Sequence, residues 1–135
     1  MDRPLPRPTP ETRHFWEGTL AGELRLQRCA ACARVRFPPR PVCPACASPD
    51  ARVFAASGRA RLYSYVIHQR PAPGFRPPYV IALVELEEGP RMLTNLVGVE
   101  PTPEALPLDL PLEVVFERAS DEIALPLFRP ARAGA

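Results

Sequence analysis

A chain of 135 residues that is 46% hydrophobic and 24% charged, with a formal net charge of +2, has the composition of a soluble globular protein of one ordinary domain or two small ones. No apolar run approaches bilayer length, and the start, Met-Asp-Arg-Pro-Leu-Pro-Arg-Pro, lacks the apolar stretch of an export signal, so no membrane role is expected and the expected address is the cytoplasm. Twenty prolines each remove a backbone donor and disfavour helix interiors, which excludes an α-rich architecture.

Residues 1 to 8 read as a Pro/Arg arm, extended and mobile when unbound. Thr9-Pro10-Glu11 then supplies a helix start, with a hydroxyl cap, proline at the first helical position and an acid in the first turn, and Gly22 supplies the stop. Between them Phe15, Trp16 and Leu20 fall on one side. So short a helix is marginal alone, so this face must pack on its own chain or on another.

The next segment holds the only cysteines, Cys29-Ala30-Ala31-Cys32 and Cys43-Pro44-Ala45-Cys46, with ten residues between the pairs. Two CxxC knuckles at hairpin spacing bring four sulfurs into a tetrahedron, the arrangement of a structural zinc site with no position left for water or substrate. A redox CxxC needs only one pair and a βαβ setting that this chain lacks, and disulfides suit a secreted chain. Iron in the same sulfur cage remains an alternative. Ala33 and Ala47 follow the knuckles where glycine commonly eases the backbone into positive φ. Leu24-Arg25-Leu26, Val35-Arg36-Phe37 and Val53-Phe54 are the strands of this ribbon, turned by Pro38-Pro39, and so small a unit needs its metal to fold. Residues 1 to 61 carry eleven arginines against five acids, whereas residues 62 to 135 carry six against ten. Some of Arg25, Arg28, Arg34, Arg36 and Arg40 offset the negative charge of the thiolates, and an anionic partner is the other reading of the excess.

From Gly58 onward the pattern becomes long strands: Leu62 to His68, Tyr79 to Leu86, Arg91 to Val97, Leu112 to Glu117 and Ile123 to Phe128. Five such strands, with one short Pro-rich insert after the third, predict a small closed barrel of the OB type. The expected fold is therefore mainly β: an N-terminal arm and helix (1–23), a rubredoxin-like zinc ribbon (24–56) and a five-stranded OB-fold domain (57–135).

A helix carrying Phe15-Trp16-Glu17, a CxxC-x10-CxxC ribbon with Phe37-Pro38-Pro39-Arg40 between its knuckles, and a barrel with Pro78-Tyr79-Val80 and Val84-Glu85-Leu86-Glu87-Glu88-Gly89 together resemble the DUF35 family of zinc-ribbon and OB-fold proteins. Asp109 stands where that family usually has glycine before the fourth strand. The resemblance implies an accessory subunit that binds a thiolase-like or ketosynthase-like enzyme, or a hot-dog-fold hydratase, in steroid side-chain and other acyl-CoA pathways, and that helps form the partner's acyl-CoA site.

The residues weigh in the same direction. Every cysteine is committed to metal, and His14 and His68 stand without a neighbouring nucleophile, so independent catalysis is not expected. Glu85, Glu87 and Glu88 cluster at a turn, where a solvated charge run is the ordinary explanation. Single-stranded nucleic-acid binding through the barrel is the alternative, with Tyr63, Tyr65, Phe75 and Tyr79 available for stacking, but the barrel segment is net acidic and nucleic acid is the poorer fit. An acyl-CoA site shared with a partner uses the same features better. Arg70 and Arg76 suit phosphate, and Phe75 and Tyr79 suit an apolar path beside the stiff loop from Arg70 to Pro78. The plainer reading of that loop is a hairpin connection whose Phe75 folds back on the barrel. Phe15, Trp16 and Leu20 are the expected partner anchors.

Overall fold

The computed structural model describes residues 3–132, so the first two residues of the expected arm and the last three of the expected OB segment lie outside it. The architecture is mainly β: one helix, a three-stranded ribbon and a closed five-stranded barrel.

Helix α1 spans Arg13–Leu20, a turn later than the Thr9 cap predicts. Thr9 and Thr12 close a separate turn instead. The Thr9 N–H donates to Thr12 Oγ1 at 2.9 Å and the Thr12 N–H to Thr9 Oγ1 at 3.3 Å, the local competition with helix that hydroxyl side chains offer. The stop falls where expected. Gly22, at φ +79, lets its own N–H donate to the Thr19 carbonyl and the Glu23 N–H to the Gly18 carbonyl, the paired bonds of a left-handed helix end.

In the ribbon, β1 (Arg25–Cys29) lies between β2 (Val35–Arg36) and β3 (Ala51–Ala55), antiparallel to both. Two equivalent knuckles project from it. The Ala33 N–H donates to the Cys29 carbonyl at 2.9 Å and the Ala47 N–H to the Cys43 carbonyl at 2.8 Å, closures that require φ of 67° and 65° at the two alanines. Asp109 likewise sits at φ 65°. The left-handed region costs an L-residue about 1–2 kcal/mol, part of which glycine's greater unfolded-state freedom cancels. Ala33→Gly and Ala47→Gly are accordingly expected to stabilise the zinc-bound chain by about 0.5–1 kcal/mol each. Thermal melts of the metal-loaded variants check this, and unchanged or lower midpoints would show that these alanines carry no strain.

The barrel strands are β4 (Arg59–His68), β5 (Tyr79–Leu86), β6 (Arg91–Leu96), β7 (Pro111–Arg118) and β8 (Ala124–Pro130), closed in the order β4-β5-β6-β8-β7. All five expected strands are present. The largest departure is β4, which begins at Arg59 and not Leu62 because Ala60 pairs with both Leu86 of β5 and Leu112 of β7. Its register shifts between Leu62 and Ser64, so Leu62 faces the core while Tyr63 remains exposed. The β6–β8 seam is parallel and paired at one position only, Leu96 with Phe128. Within the seam, buried Thr94 donates its hydroxyl to the Pro126 carbonyl at 2.8 Å, doing for this stretch what ladder bonds do elsewhere. Along β5 every second residue is buried, and Val80, Ala82, Val84 and Leu86 meet Met92, Leu112 and Phe128 in the centre.

That core does not stop at the barrel. Phe15 of the helix and Leu24 and Leu26 of the ribbon belong to the same buried cluster. The helix packs on β1 on one side and on β7 and β8 on the other, so it is the wedge joining ribbon to barrel. No helix among the described residues is long and apolar enough to cross a membrane.

Candidate functional site

The metal centre follows from the knuckles. The Sγ atoms of Cys29, Cys32, Cys43 and Cys46 all lie within 4.8 Å of one another, and across the two knuckles Cys29 stands 3.5 Å from Cys46 and Cys32 3.6 Å from Cys43. Zinc–sulfur bonds of about 2.3 Å place tetrahedral sulfurs about 3.8 Å apart, so the quartet fits the ion, whereas a disulfide needs about 2 Å. Each knuckle also aims amides at sulfur. The Cys32 N–H, with the Ala31 N–H, draws the Cys29 thiol down to about 6 against burial, and the N–H groups of Cys46 and Ala45 lower Cys43. At Cys46 the Ser48 N–H pulls downward but is outweighed by the Cys29 thiol, burial, and the Cys32 and Cys43 thiols, which push it up to about 11. Four sulfurs this close cannot all ionise near neutrality without a cation among them. The site is a structural zinc site held by all four predicted cysteines, with no coordination position left for chemistry.

A second constellation lies at the loop between β4 and β5. Phe75 stacks on Tyr79 with ring centres 4.9 Å apart, and Tyr79 stacks in turn on His68 at 4.9 Å. The free face of Phe75 is covered by Arg3, whose guanidinium lies 4.4 Å from the ring centre while its Nε donates to the Gly74 carbonyl at 3.1 Å. Arg3 also approaches Glu117 at 3.8 Å. At the described end of the arm, Arg3 closes a stack of four side chains drawn from three parts of the chain. Gly74 makes this approach possible, since a Cβ there would collide with the Arg3 backbone nitrogen and the base of its side chain. Arg70 and Arg76 are both exposed, and Phe75 and Arg76 border an open cleft of about 610 Å³ beneath the loop, which Arg70 and Tyr79 do not line. The loop thus brings Phe75 and Tyr79 together and, among the described residues, leaves the two arginines without an ion pair at its surface. Arg3 and His68 were not singled out for this cluster; their contacts arise only when residues far apart in sequence meet.

The three expected anchors divide. Phe15 is only 3% exposed, edge-on to Trp16 at 4.9 Å and tilted against Phe37 at 5.3 Å, so its ring is spent inside the chain. Trp16 is half-buried and Leu20 is 40% exposed, and together with Pro8 they border a groove of about 380 Å³ whose far wall carries Asp121 and Glu122. A second, more apolar groove of about 280 Å³ runs along the β6–β8 seam between Trp16, Phe37, Phe75, Leu93 and Leu127, with Arg3 and Pro4 across it. Trp16 is the residue common to both.

Several of the barrel's charges pair with one another. Glu85 bonds Arg61 at 2.6 Å and approaches Arg91 at 3.4 Å, Glu87 bonds Arg59 at 2.9 Å, and Glu113 bonds Arg129 at 2.8 Å. The Arg61 hydrogen bond holds Glu85 below the usual carboxylate range, and Arg59 followed by the Ser57 hydroxyl does the same for Glu87. Both carboxylates are therefore ionised at neutral pH and cannot act as general acids. Burial and the nearby Arg25 lower His14, which is neutral.

Comparison with known proteins finds two family descriptions that divide the chain as the fold does. Residues 16–51 match "ChsH2, rubredoxin-like zinc ribbon domain" and residues 54–117 match "ChsH2, C-terminal OB-fold domain". A "probable enoyl-CoA hydratase alpha subunit" of Thermomonospora curvata is 42% identical over 130 residues, covering 96% of this chain but 40% of that protein, so the chain spans about two fifths of that relative's length. A "DUF35 domain-containing scaffold protein" of Pyrococcus furiosus is 40% identical over 96 residues, covering 68% of this chain and 69% of that protein. Among solved structures, a chain of the "Ltp2-ChsH2(DUF35) aldolase" superposes with a TM-score of 0.84 at 41% identity, covering 95% of this chain and all of that one.

Proposed function

Because the chain belongs to the DUF35 family of zinc-ribbon and OB-fold proteins, we propose that it is a non-catalytic accessory subunit of an acyl-CoA-processing enzyme, docking on a thiolase-like or ketosynthase-like partner and completing that partner's acyl-CoA site. The observation that carries the reading is the end-to-end likeness, at 41% identity, to a chain of the Ltp2-ChsH2(DUF35) aldolase, in which ChsH2 is joined to a second component, Ltp2. A hot-dog-fold hydratase is a further partner in this reading, because a relative is named as a hydratase alpha subunit longer than this chain. In the docked state Trp16 and Leu20 face the partner. Phe75 and Tyr79 flank the acyl path, and Arg70 or Arg76 meets the nucleotide phosphates with a fork suited to their oxygens.

Affinity capture of the intact chain from its native host, with identification of what accompanies it, tests the partner; recovery of a nucleic acid and no acyl-CoA enzyme overturns the proposal. In the assembled complex, Arg76→Ala is expected to raise the KM for acyl-CoA by a factor equivalent to losing about 1.5–3 kcal/mol, the range for hydrogen bonds to charged groups. A KM that does not move removes Arg76 from the site. Single-stranded DNA and RNA are expected to bind weakly and only at low salt, since Arg59, Arg61, Arg91 and Arg129 are paired with carboxylates and leave no basic groove along those strands.

A further inference from the structure

Six arginines lie in or beside the ribbon, and five of them, the exposed Arg52 of β3 included, reach solvent. Arg25 pairs with Glu23 at 2.9 Å, Arg28 lies over the Phe54 ring at 4.9 Å, and Arg34 and Arg40 are exposed. Arg36 is different: it is 6% exposed. Its Nε donates to Gln27 Oε1 at 2.9 Å and its Nη2 to the Arg40 carbonyl at 3.0 Å, both neutral acceptors, and its Nη1 is buried without a partner. None of the ion pairs among the described residues includes it. A buried cation held only by neutral groups is costly unless an opposite charge stands near.

The strand register shows where that charge is. Arg36 on β2 pairs directly with Gln27 on β1, and Cys29 lies two residues further along β1, so Arg36 and Cys29 project from the same ribbon face, diagonal neighbours about 7–8 Å apart. Arg36 also shares with Cys43 the wall of a cavity of about 220 Å³. A zinc ion with four thiolates carries excess negative charge at this spot. We propose that Arg36 is the counter-charge of the zinc tetrathiolate: a positioning residue, touching no ligand atom by hydrogen bond, whose guanidinium stabilises the ionised sulfurs while the metal site in turn makes the buried guanidinium tolerable. The pairing is reciprocal, so zinc binding and burial of Arg36 reinforce each other in folding the ribbon.

The test is zinc affinity of the full chain, measured by competition with a chromophoric chelator at neutral pH and needing neither partner nor acyl-CoA. Arg36→Met is expected to weaken zinc binding by about tenfold to a hundredfold, the usual range for outer-sphere groups, while Arg36→Lys retains most of the affinity because it keeps the charge. Arg34→Met, at an exposed position on the same cavity, should change it little. Arg36→Gln, which keeps a donor for the Arg40 carbonyl, takes the place of the methionine variant if that does not yield folded protein. Equal losses in the lysine and neutral variants would assign the effect to the hydrogen bonds with Gln27 and Arg40, and an unchanged affinity in a neutral variant would show that the charge is idle. Either result overturns the proposal.

Discussion

Replacing Cys43 with serine is expected to give a chain that holds no zinc, whose ribbon is unfolded and readily proteolysed. Structural zinc in small peptides is worth an apparent 10–16 kcal/mol, roughly, at neutral pH, and a ribbon with strands of five, two and five residues has no comparable reserve of apolar burial. The damage should spread, because Leu24 and Leu26 of the ribbon share one buried cluster with the barrel. Elemental analysis of the parent chain should find about one zinc per chain, released as pH falls because protons compete for the thiolates. A red protein with thiolate-to-iron absorbance, or a metal-free chain that is fully folded, would contradict the assignment.

Phe15→Ala is expected to cost about 3–5 kcal/mol of stability, the range for truncating a buried aromatic, because the ring is 3% exposed at the junction of helix, ribbon and barrel. Trp16→Ala and Leu20→Ala should behave differently. Both side chains reach the groove bordered by Pro8, so these variants should keep the barrel's strand content and instead weaken the partner complex, at Trp16 by about 2 kcal/mol or more. Denaturant unfolding of the isolated chain, set beside the dissociation constant of the complex, separates the two effects. If Trp16→Ala unfolds the isolated chain as Phe15→Ala does, Trp16 is a core residue and not an anchor.

The contrast between neighbouring aromatics marks the limit of what could be read beforehand. Cysteine spacing sufficed for the metal because zinc demands four sulfurs in one geometry and two CxxC knuckles supply them locally; the same local logic anticipates the positive φ at Ala33 and Ala47. Strand existence and barrel closure were legible from five long strand-like runs with only a short Pro-rich insert among them, whereas the alternating burial along β5 emerges only in the packed barrel. By contrast, which face of the helix turns inward depends on what packs against it. Phe15 and Trp16 are adjacent and chemically alike, yet only the placement of Phe37, β1 and β8 makes one core and the other available. The early start of β4 at Arg59 has the same origin, because a strand pairing with two neighbours is held by bonds its own residues do not advertise. The stack of Arg3, Phe75, Tyr79 and His68 and the burial of Arg36 also come from residues distant in sequence. Local chemistry determined the metal, the class of fold and the family; tertiary structure alone decided which aromatic and which arginine lost their water, because desolvation is a property of the packed chain and not of any residue in it.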